Sequence, residues 1–207
     1  MYGVLIVDDQ PMVRELLKVY IDESDDFYHV ASISNAGLVE LSCMQNKVDL
    51  ILMDVCTQNN ESGFEATAKI KKIKPNIKVV IITSMLDYEY IQRAKKCGAD
   101  SLWYKEVGRN DLLDVMRKTM LGHSIYPDTT PAVQIGLCMS SDFTPAELRV
   151  LRYLVEGMTY KEIASELFLS PLTVKEHTRH MLEKTGYSSK TKLAAEVASK
   201  KLIVNGF

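Results

Sequence analysis

Short apolar runs alternate with longer segments of helical spacing through the first 121 residues. The clearest run is 49–55, in which aliphatic residues surround Met53 and lead to Asp54. An apolar run of this length between polar segments is typical of a strand that is buried on both faces of a parallel sheet. The pattern predicts five strands, at about 3–8, 28–33, 49–54, 78–83 and 101–105, with helices between and after them at 11–23, 36–46, 63–74, 87–97 and 109–121.

This alternation predicts the α/β class, as a doubly wound five-stranded parallel sheet with helices on both faces. Local signals support three of the helix ends. Pro11 lies in a first turn, where its missing N–H costs little. Asp87 is a plausible N-cap, and Gly98 follows the same helix as a C-terminal glycine.

Residues 143–207 have the pattern of a smaller all-α domain with four helices. Thr144 and Glu147 have the spacing of a capping box, and Thr159 and Glu162 repeat it. A third helix is expected to begin at Ser170-Pro171 and a fourth to span about 189–200. Two short helices joined by the tight turn at 166–170 are typical of a helix-turn-helix.

Charge also separates the two ends of the chain. The total is −2, but residues 1–121 carry a net −3 and residues 143–207 a net +3. This asymmetry favours two modules with different partners. Glycines and prolines punctuate 122–142, which is predicted to be an inter-domain linker with at most a short helical stretch. The expected domains are therefore 1–121 and 143–207.

The composition excludes several classes of protein. Hydrophobic residues make up 46% and charged residues 25%, which is ordinary for a soluble globular chain. No apolar run approaches the roughly 20 residues that span a bilayer, and the N-terminus has no secretory pattern. The four cysteines are scattered without a CxxC pair, which argues against a zinc site or a disulfide framework. We expect a cytoplasmic protein with no membrane partner.

Polar side chains end or follow four of the five predicted strands. Asp8 and Asp9 follow the first strand, Asp54 ends the third, Thr83 ends the fourth and Lys105 ends the fifth. Ligand sites in open α/β sheets lie at the carboxyl ends of the strands. If the strands are neighbours, three carboxylates, a hydroxyl and an amine converge at one edge of the sheet.

This set, in this order, resembles the receiver domain of two-component response regulators over about residues 1–121. The resemblance implies that Asp54 accepts a phosphoryl group from a histidine kinase. It implies a Mg²⁺ ion bound directly by Asp9 and Asp54, through water by Asp8, and by the backbone carbonyl of Cys56. Such a site suits the chemistry, because phosphoryl transfer to a carboxylate needs a nucleophilic oxygen and a cation that neutralises phosphate charge.

The resemblance also implies that Lys105 pairs with the phosphoryl charge and that the Thr83 hydroxyl bonds a phosphoryl oxygen. The sequence departs from the family in two places. After Asp54, Gln58 stands where a proline is usual and Gly63 comes nine residues later rather than eight, so we expect a polar, longer and more mobile loop. Leu102 stands where a Tyr or Phe usually precedes the lysine by three residues, and it is expected to be a plain core residue.

Two alternatives stay open, and the two departures motivate the first of them. One is a receiver that works without phosphorylation. The other is a phosphohydrolase with Asp54 as nucleophile. Haloacid-dehalogenase-type enzymes place a second Asp two residues after the first as the acid and base, whereas this chain has Cys56 there, which suits the role poorly. We therefore expect a chain that is not an enzyme.

Residues 143–203 are similar to the DNA-binding domain of LuxR/NarL-type regulators, through Phe143-Thr144-Pro145, Lys161-Glu162-Ile163-Ala164 and Thr173-Val174-Lys175. The resemblance implies a dimer on promoter DNA, with the third helix in the major groove and RNA polymerase as a further partner. The groove-facing positions it implies are Lys175, Glu176 and Arg179, and the candidate phosphate contacts are Thr173, Lys161, His177 and Arg152. A carboxylate such as Glu176 is unusual there; it can accept from cytosine N4 but repels phosphate, so we expect it to narrow the choice of operator.

Overall fold

A computed structural model describes residues 1–86, 88–105, 108–128, 130–200 and 202–203, apart from the side chains of Asn60 and Tyr88. The predicted N-cap Asp87 lies outside this set. The chain divides into two compact units. The first consists of Met1–Ser84 with Tyr88–Thr129, and the second of Met85–Asp87 with Thr130–Phe207.

The first unit alternates strands and helices as the hydrophobic pattern predicts. Its elements are β1 (Tyr2–Val7), α1 (Pro11–Asp22), β2 (Phe27–Ile33), α2 (Val39–Gln45), β3 (Leu50–Asp54), β4 (Cys56–Thr57), β5 (Glu61–Ser62), α3 (Gly63–Ile73), β6 (Lys78–Thr83), α4 (Tyr88–Lys96), β7 (Ser101–Tyr104) and α5 (Arg109–Met120). Gly98 follows α4 with a φ of +83°, the left-handed conformation that ends helices.

Five of these strands form one parallel sheet in the order β2-β1-β3-β6-β7. The predicted doubly wound sheet is confirmed. All five residues of β3 are buried, which agrees with its unbroken apolar pattern. The order places β3 at the centre, between β1 and β6, so the end of β3 lies beside the ends of both neighbours.

The described residues of the second unit form helices and one small hairpin. Its elements are β8 (Gln134–Ile135), β9 (Cys138–Met139), α6 (Pro145–Val155), α7 (Tyr160–Leu167), α8 (Pro171–Thr185) and α9 (Lys190–Ser199). No helix among the described residues is long and apolar enough to cross a membrane.

The hairpin corrects the prediction that 122–142 contains at most a short helical stretch. β8 and β9 pair in an antiparallel manner, and Ile135 is completely buried. Gly136 turns the chain with a φ of +59°, and a Cβ there would lie 2.1 Å from the Thr185 carbonyl oxygen. Two strands of two residues each are too short to produce a hydrophobic period, so the sequence pattern gave no signal for them.

Capping boxes fix the first two helices of the second unit, as predicted. The Thr144 hydroxyl accepts from the Glu147 N–H, and the Glu147 carboxylate accepts from the Thr144 N–H. Thr159 and Glu162 repeat the arrangement. Each box satisfies two N–H groups that the start of a helix leaves without a partner.

Glu147 gives this unit a testable pH dependence. Burial opposes its ionisation, but the Lys184 ammonium at 2.7 Å and the Thr144 donors outweigh it, so the pKa lies below the ordinary 4.5. Because a lowered carboxyl pKa stabilises the folded state above the unfolded pKa, this contribution is lost as the pH falls below about 4.5. Glu147→Gln is expected to lower the opening free energy of α6 by about 1–2 kcal/mol at pH 7. Amide hydrogen exchange should show that difference shrinking toward pH 3.5, and an equal difference at both pH values would contradict the assignment.

Candidate functional site

Three carboxylates meet at the edge where the parallel strands end. Asp8 follows β1 directly, Asp9 is next, and Asp54 is the last residue of β3. One oxygen from each lies within 4.8 Å of the others. Asp8 is fully buried and Asp54 is 6% exposed, whereas Asp9 is open to solvent. An all-oxygen set of this size, reachable from solvent on one side, fits a hard divalent cation such as Mg²⁺.

Lys105 brings the counter-charge to this cluster. Its ammonium lies 2.7 Å from Asp8 Oδ2 and 3.1 Å from Asp54 Oδ2, and its side chain is 11% exposed. Burial opposes the charge on Lys105, but the carboxylates of Asp54 and Asp8 outweigh burial and raise its pKa. The amine therefore stays charged and ties the ends of β1, β3 and β7 together.

Asp54 is held in a form that ionises only near neutral pH. Burial raises its pKa to about 7, and the Asp8 carboxylate adds to the shift, while Lys105 acts against it. The N–H of Val55 donates to Asp54 Oδ1 at 2.9 Å. Lys105, and to a smaller extent the Val55 N–H, therefore favour the ionised carboxylate against the effect of burial.

Thr83 lies where the sequence predicts it, as the last residue of β6. In the β3–β6 pairing Asp54 is opposite Ile82, the residue before Thr83. The threonine is fully buried, and its carbonyl accepts from the Lys105 N–H at 2.9 Å. Its backbone therefore positions Lys105, while the role of its hydroxyl stays a prediction.

The loop after Asp54 folds as a short hairpin, while the greater mobility expected for it stays a prediction. Its ends pair as the β4–β5 hairpin, and Asn59 takes a left-handed φ of +62° at the turn. The Thr57 hydroxyl donates to the Glu61 carbonyl at 2.8 Å and accepts from the Ala36 N–H at 2.9 Å. The N–H of Gln58 donates to the Ser34 carbonyl at 2.9 Å. The additional residue is absorbed by the hairpin because asparagine tolerates the left-handed region.

Gly63 is where this hairpin returns to the sheet. It begins α3, and its N–H donates to the Val55 carbonyl at 2.9 Å. A Cβ at this position would lie 1.9 Å from the Asp54 carbonyl oxygen. The backbone of α3 can approach the acceptor strand this closely only because residue 63 has no side chain.

Position 56 bears on the phosphohydrolase alternative. Burial raises the pKa of the Cys56 thiol to about 12, and the carboxylates of Asp54 and Asp9 add to the shift. A thiol of this pKa is a poor proton donor and acceptor near neutral pH. Position 56 therefore supplies no acid or base beside Asp54. The role predicted for the Cys56 carbonyl as a metal ligand is not tested by these contacts.

The position that usually holds an aromatic residue is occupied by a core side chain. Leu102 is 1% exposed and pairs with Ile81 in the sheet, so the prediction of a core leucine is confirmed. The neighbouring rings of Trp103 and Tyr104 are buried as well. Leu102 has no polar atom that could report a charge at Asp54.

The second unit presents the predicted DNA-contacting residues on and near α8. Lys175, Glu176 and Arg179 are exposed on this helix. The other candidates are Lys161, which is exposed on α7, Thr173 and His177, which are half-buried on α8, and Arg152, which is half-buried on α6. The opposite face of α8 is buried through Val174, Thr178, Met181 and Thr185.

Arg179 is more constrained than the sequence indicates. Its guanidinium lies 2.5 Å from Glu183 Oε1 and 3.3 Å from Glu176 Oε2, and all three side chains are about half exposed. Ion pairs this exposed are weak, so they orient Arg179 without blocking it. Leu172, which the sequence analysis did not single out, is 67% exposed on the same helix and lies four residues before Glu176.

Comparisons with known proteins agree with this arrangement. The family model for the response regulator receiver domain matches residues 4–117, and that for bacterial regulatory proteins of the luxR family matches residues 141–197. The chain is 32% identical over 193 residues to the response regulator protein VraR of Staphylococcus epidermidis, covering 91% of this chain and 92% of that protein. VraR of Staphylococcus aureus is 31% identical over the same coverage.

A solved structure shows the same fold at low identity. RcsB from Salmonella enterica serovar Typhimurium, bound to promoter rprA in the presence of the phosphomimetic BeF3-, has a TM-score of 0.61. It is 18% identical, and the match covers 96% of this chain and 99% of that one.

Proposed function

The chain belongs to the response regulators that join a receiver domain to a LuxR-type DNA-binding domain, and we propose that Asp54 accepts a phosphoryl group from a histidine kinase. The phosphorylated chain then binds promoter DNA as a dimer and regulates transcription. The observation that carries the proposal is the contact of one ammonium, that of Lys105, with both Asp8 and Asp54 inside the carboxylate cluster.

Each residue of the carboxylate cluster has a different role in the proposed phosphoryl transfer. Asp54 supplies the nucleophilic oxygen, and Lys105 faces the charge that arrives with the phosphoryl group. Mg²⁺ would be held by Asp9 and Asp54 directly, by Asp8 through water and by the Cys56 carbonyl, and it would neutralise phosphoryl charge. The Thr83 hydroxyl bonds a phosphoryl oxygen once one is present.

Phosphoryl uptake is the direct test of this assignment. The full chain, incubated with Mg²⁺ and acetyl phosphate, is expected to gain the mass of one phosphoryl group. Asp54→Asn is expected to gain none, because the amide is not a nucleophile of comparable strength. Asp9→Asn should slow the uptake, whereas the exposed Asp22→Asn on α1 should leave it unchanged. Equal uptake by the Asp54→Asn chain would contradict the role of Asp54.

The DNA-binding role rests on the second unit. α8 would enter the major groove, with Lys175, Glu176 and Arg179 toward base edges. Lys161, Thr173, His177 and Arg152 would contact phosphates. We further propose a cytoplasmic regulator without steady enzymatic turnover, whose partners are the kinase, promoter DNA, a second copy of the chain and RNA polymerase.

One observation favours a second candidate function, a DNA-binding regulator whose receiver works without phosphorylation. Leu102 is a buried leucine where a polar-tipped or aromatic side chain would respond to the charge on Asp54. Under this alternative the mass of the chain rises with acetyl phosphate but its DNA affinity does not. The two candidates therefore differ in the coupling between Asp54 and DNA, and not in the chemistry at Asp54.

A further inference from the structure

One exposed stripe on α8 holds three side chains of different chemistry. Leu172, Glu176 and Arg179 are separated by four and three residues, which places them on one face of a helix with 3.6 residues per turn. This face is opposite the buried row of Val174 and Thr178. The stripe therefore offers, in order, an apolar group, a hydrogen-bond acceptor and a hydrogen-bond donor to whatever lies against α8.

Leu172 is an apolar side chain that is mostly open to solvent. It lies in the first turn of α8 and is 67% exposed, so it adds little to the core. Leu172 itself lines an open cavity of about 560 Å³, together with Thr159, Tyr160, Lys161, Pro171 and Lys175. In the major groove the apolar feature that an exposed leucine can contact is the 5-methyl group of thymine.

Glu176 restricts the base that can lie against it. A carboxylate only accepts, and the donors on major-groove edges are cytosine N4 and adenine N6. Adenine places its N7 acceptor beside N6, where it repels a second carboxylate oxygen, so cytosine is the better partner. The phosphate backbone repels Glu176 everywhere else, so a sequence without a cytosine at this position loses affinity.

Arg179 completes the set. Its guanidinium is held beside Glu176 at 3.3 Å, and the pair with Glu183 is exposed and easily exchanged. Guanine O6 and N7 are the acceptors that a guanidinium binds in a bidentate manner. The side chains from Leu172 to Arg179 span about 10 Å of helix, which corresponds to about three base pairs of DNA.

We propose that the stripe of Leu172, Glu176 and Arg179 selects an operator half-site in which thymine, cytosine and guanine occupy neighbouring base pairs. The inference rests on the proposed DNA binding and adds the sequence that is bound. Lys161 on α7 contributes affinity that does not depend on sequence, because its ammonium would face a backbone phosphate.

The test selects from a randomised double-stranded DNA library with the full chain, Mg²⁺ and acetyl phosphate. The unaltered chain is expected to enrich a motif with a cytosine at the position read by Glu176. In Glu176→Gln the preference for adenine over cytosine at that position should rise about tenfold, because glutamine pairs with adenine N6 and N7. Leu172→Ala is expected to reduce the preference for thymine at a different position by about fivefold and to leave the cytosine preference intact.

Matched controls separate base reading from general charge and stability. Glu183→Gln removes the same charge and also releases Arg179, but Glu183 lies about two turns beyond Glu176 and should leave the cytosine preference unchanged. Leu121→Ala makes the same truncation at an exposed leucine of the first unit and should leave the motif intact. An enriched motif that neither Glu176→Gln nor Leu172→Ala alters would overturn the inference. Failure of the unaltered chain to enrich any motif would instead contradict the proposed DNA binding.

Discussion

A Lys105→Met chain is expected to take up phosphoryl groups from acetyl phosphate about 10²-fold more slowly than the unaltered chain at pH 7. Lys105 is the cation within 3.1 Å of both Asp8 and Asp54, and it lowers the pKa of Asp54 against the effect of burial. Without it the pKa of Asp54 rises above about 7, so less of the nucleophile is ionised. The incoming phosphoryl charge also loses its counter-charge.

The pH dependence of the rate distinguishes the loss of ionised Asp54 from the loss of the counter-charge to the phosphoryl group. Raising the pH from 7 to 9 should recover part of the rate in Lys105→Met, because it ionises Asp54, but should not restore the missing counter-charge. Lys18→Met serves as the control, since Lys18 pairs with the exposed Asp22 on α1 and not with the carboxylate cluster in the described part of the chain. Intact-mass time courses measure each rate. Equal rates for Lys105→Met and the unaltered chain would show that the amine has no part in the reaction.

A Gly63→Ala chain is expected to lose about 2–4 kcal/mol of unfolding free energy in the first unit and to take up phosphoryl groups slowly. The new Cβ would lie 1.9 Å from the Asp54 carbonyl oxygen, and a backbone atom cannot move aside as a flexible side chain does. Either α3 or the end of β3 must shift, and the acceptor carboxylate shifts with β3. Urea unfolding and the mass time course measure the two effects.

Gly122→Ala is the matched control for the glycine substitution. Gly122 has a φ of +91°, and a Cβ there would meet nothing within 4 Å. The control therefore has conformational strain without a collision and is expected to cost about 1–2 kcal/mol with no effect on phosphoryl uptake. A Gly63→Ala chain as stable as Gly122→Ala would contradict the close approach of α3 to Asp54.

Much of the first unit was predictable because buried parallel strands have an unmistakable pattern. The run that ends at Asp54, the Asp8-Asp9 pair after β1 and the Thr83 that ends β6 indicated both the strands and the edge of the sheet where they end. The convergence of Asp8, Asp54 and Lys105 then follows from topology, since parallel neighbours end at the same edge. Capping residues such as Thr144 and Thr159 were equally clear because their partners are three residues away.

The features that the sequence did not reveal depend on contacts between distant positions. The loop after Asp54 is a hairpin held by hydrogen bonds of Thr57 and Ser34, and neither residue carries a local signal for that pairing. In the sequence, the spacing of Gly63 from Asp54 indicated only an insertion of one residue. The close approach of Gly63 to the Asp54 carbonyl is a tertiary contact, which the spacing does not reveal. The orientation of Arg179 by two glutamates likewise needs the rotamers as well as the spacing.

The coupling between Asp54 and DNA is the central claim, and DNA affinity measures it most directly. The full chain is titrated with the DNA motif it enriches, with Mg²⁺, in the presence and absence of acetyl phosphate, beside Asp54→Asn. We predict that phosphorylation raises the affinity at least about tenfold and that Asp54→Asn keeps the lower affinity under both conditions. A chain that carries one phosphoryl group by mass yet binds the motif with unchanged affinity would contradict the account and support the receiver that works without phosphorylation.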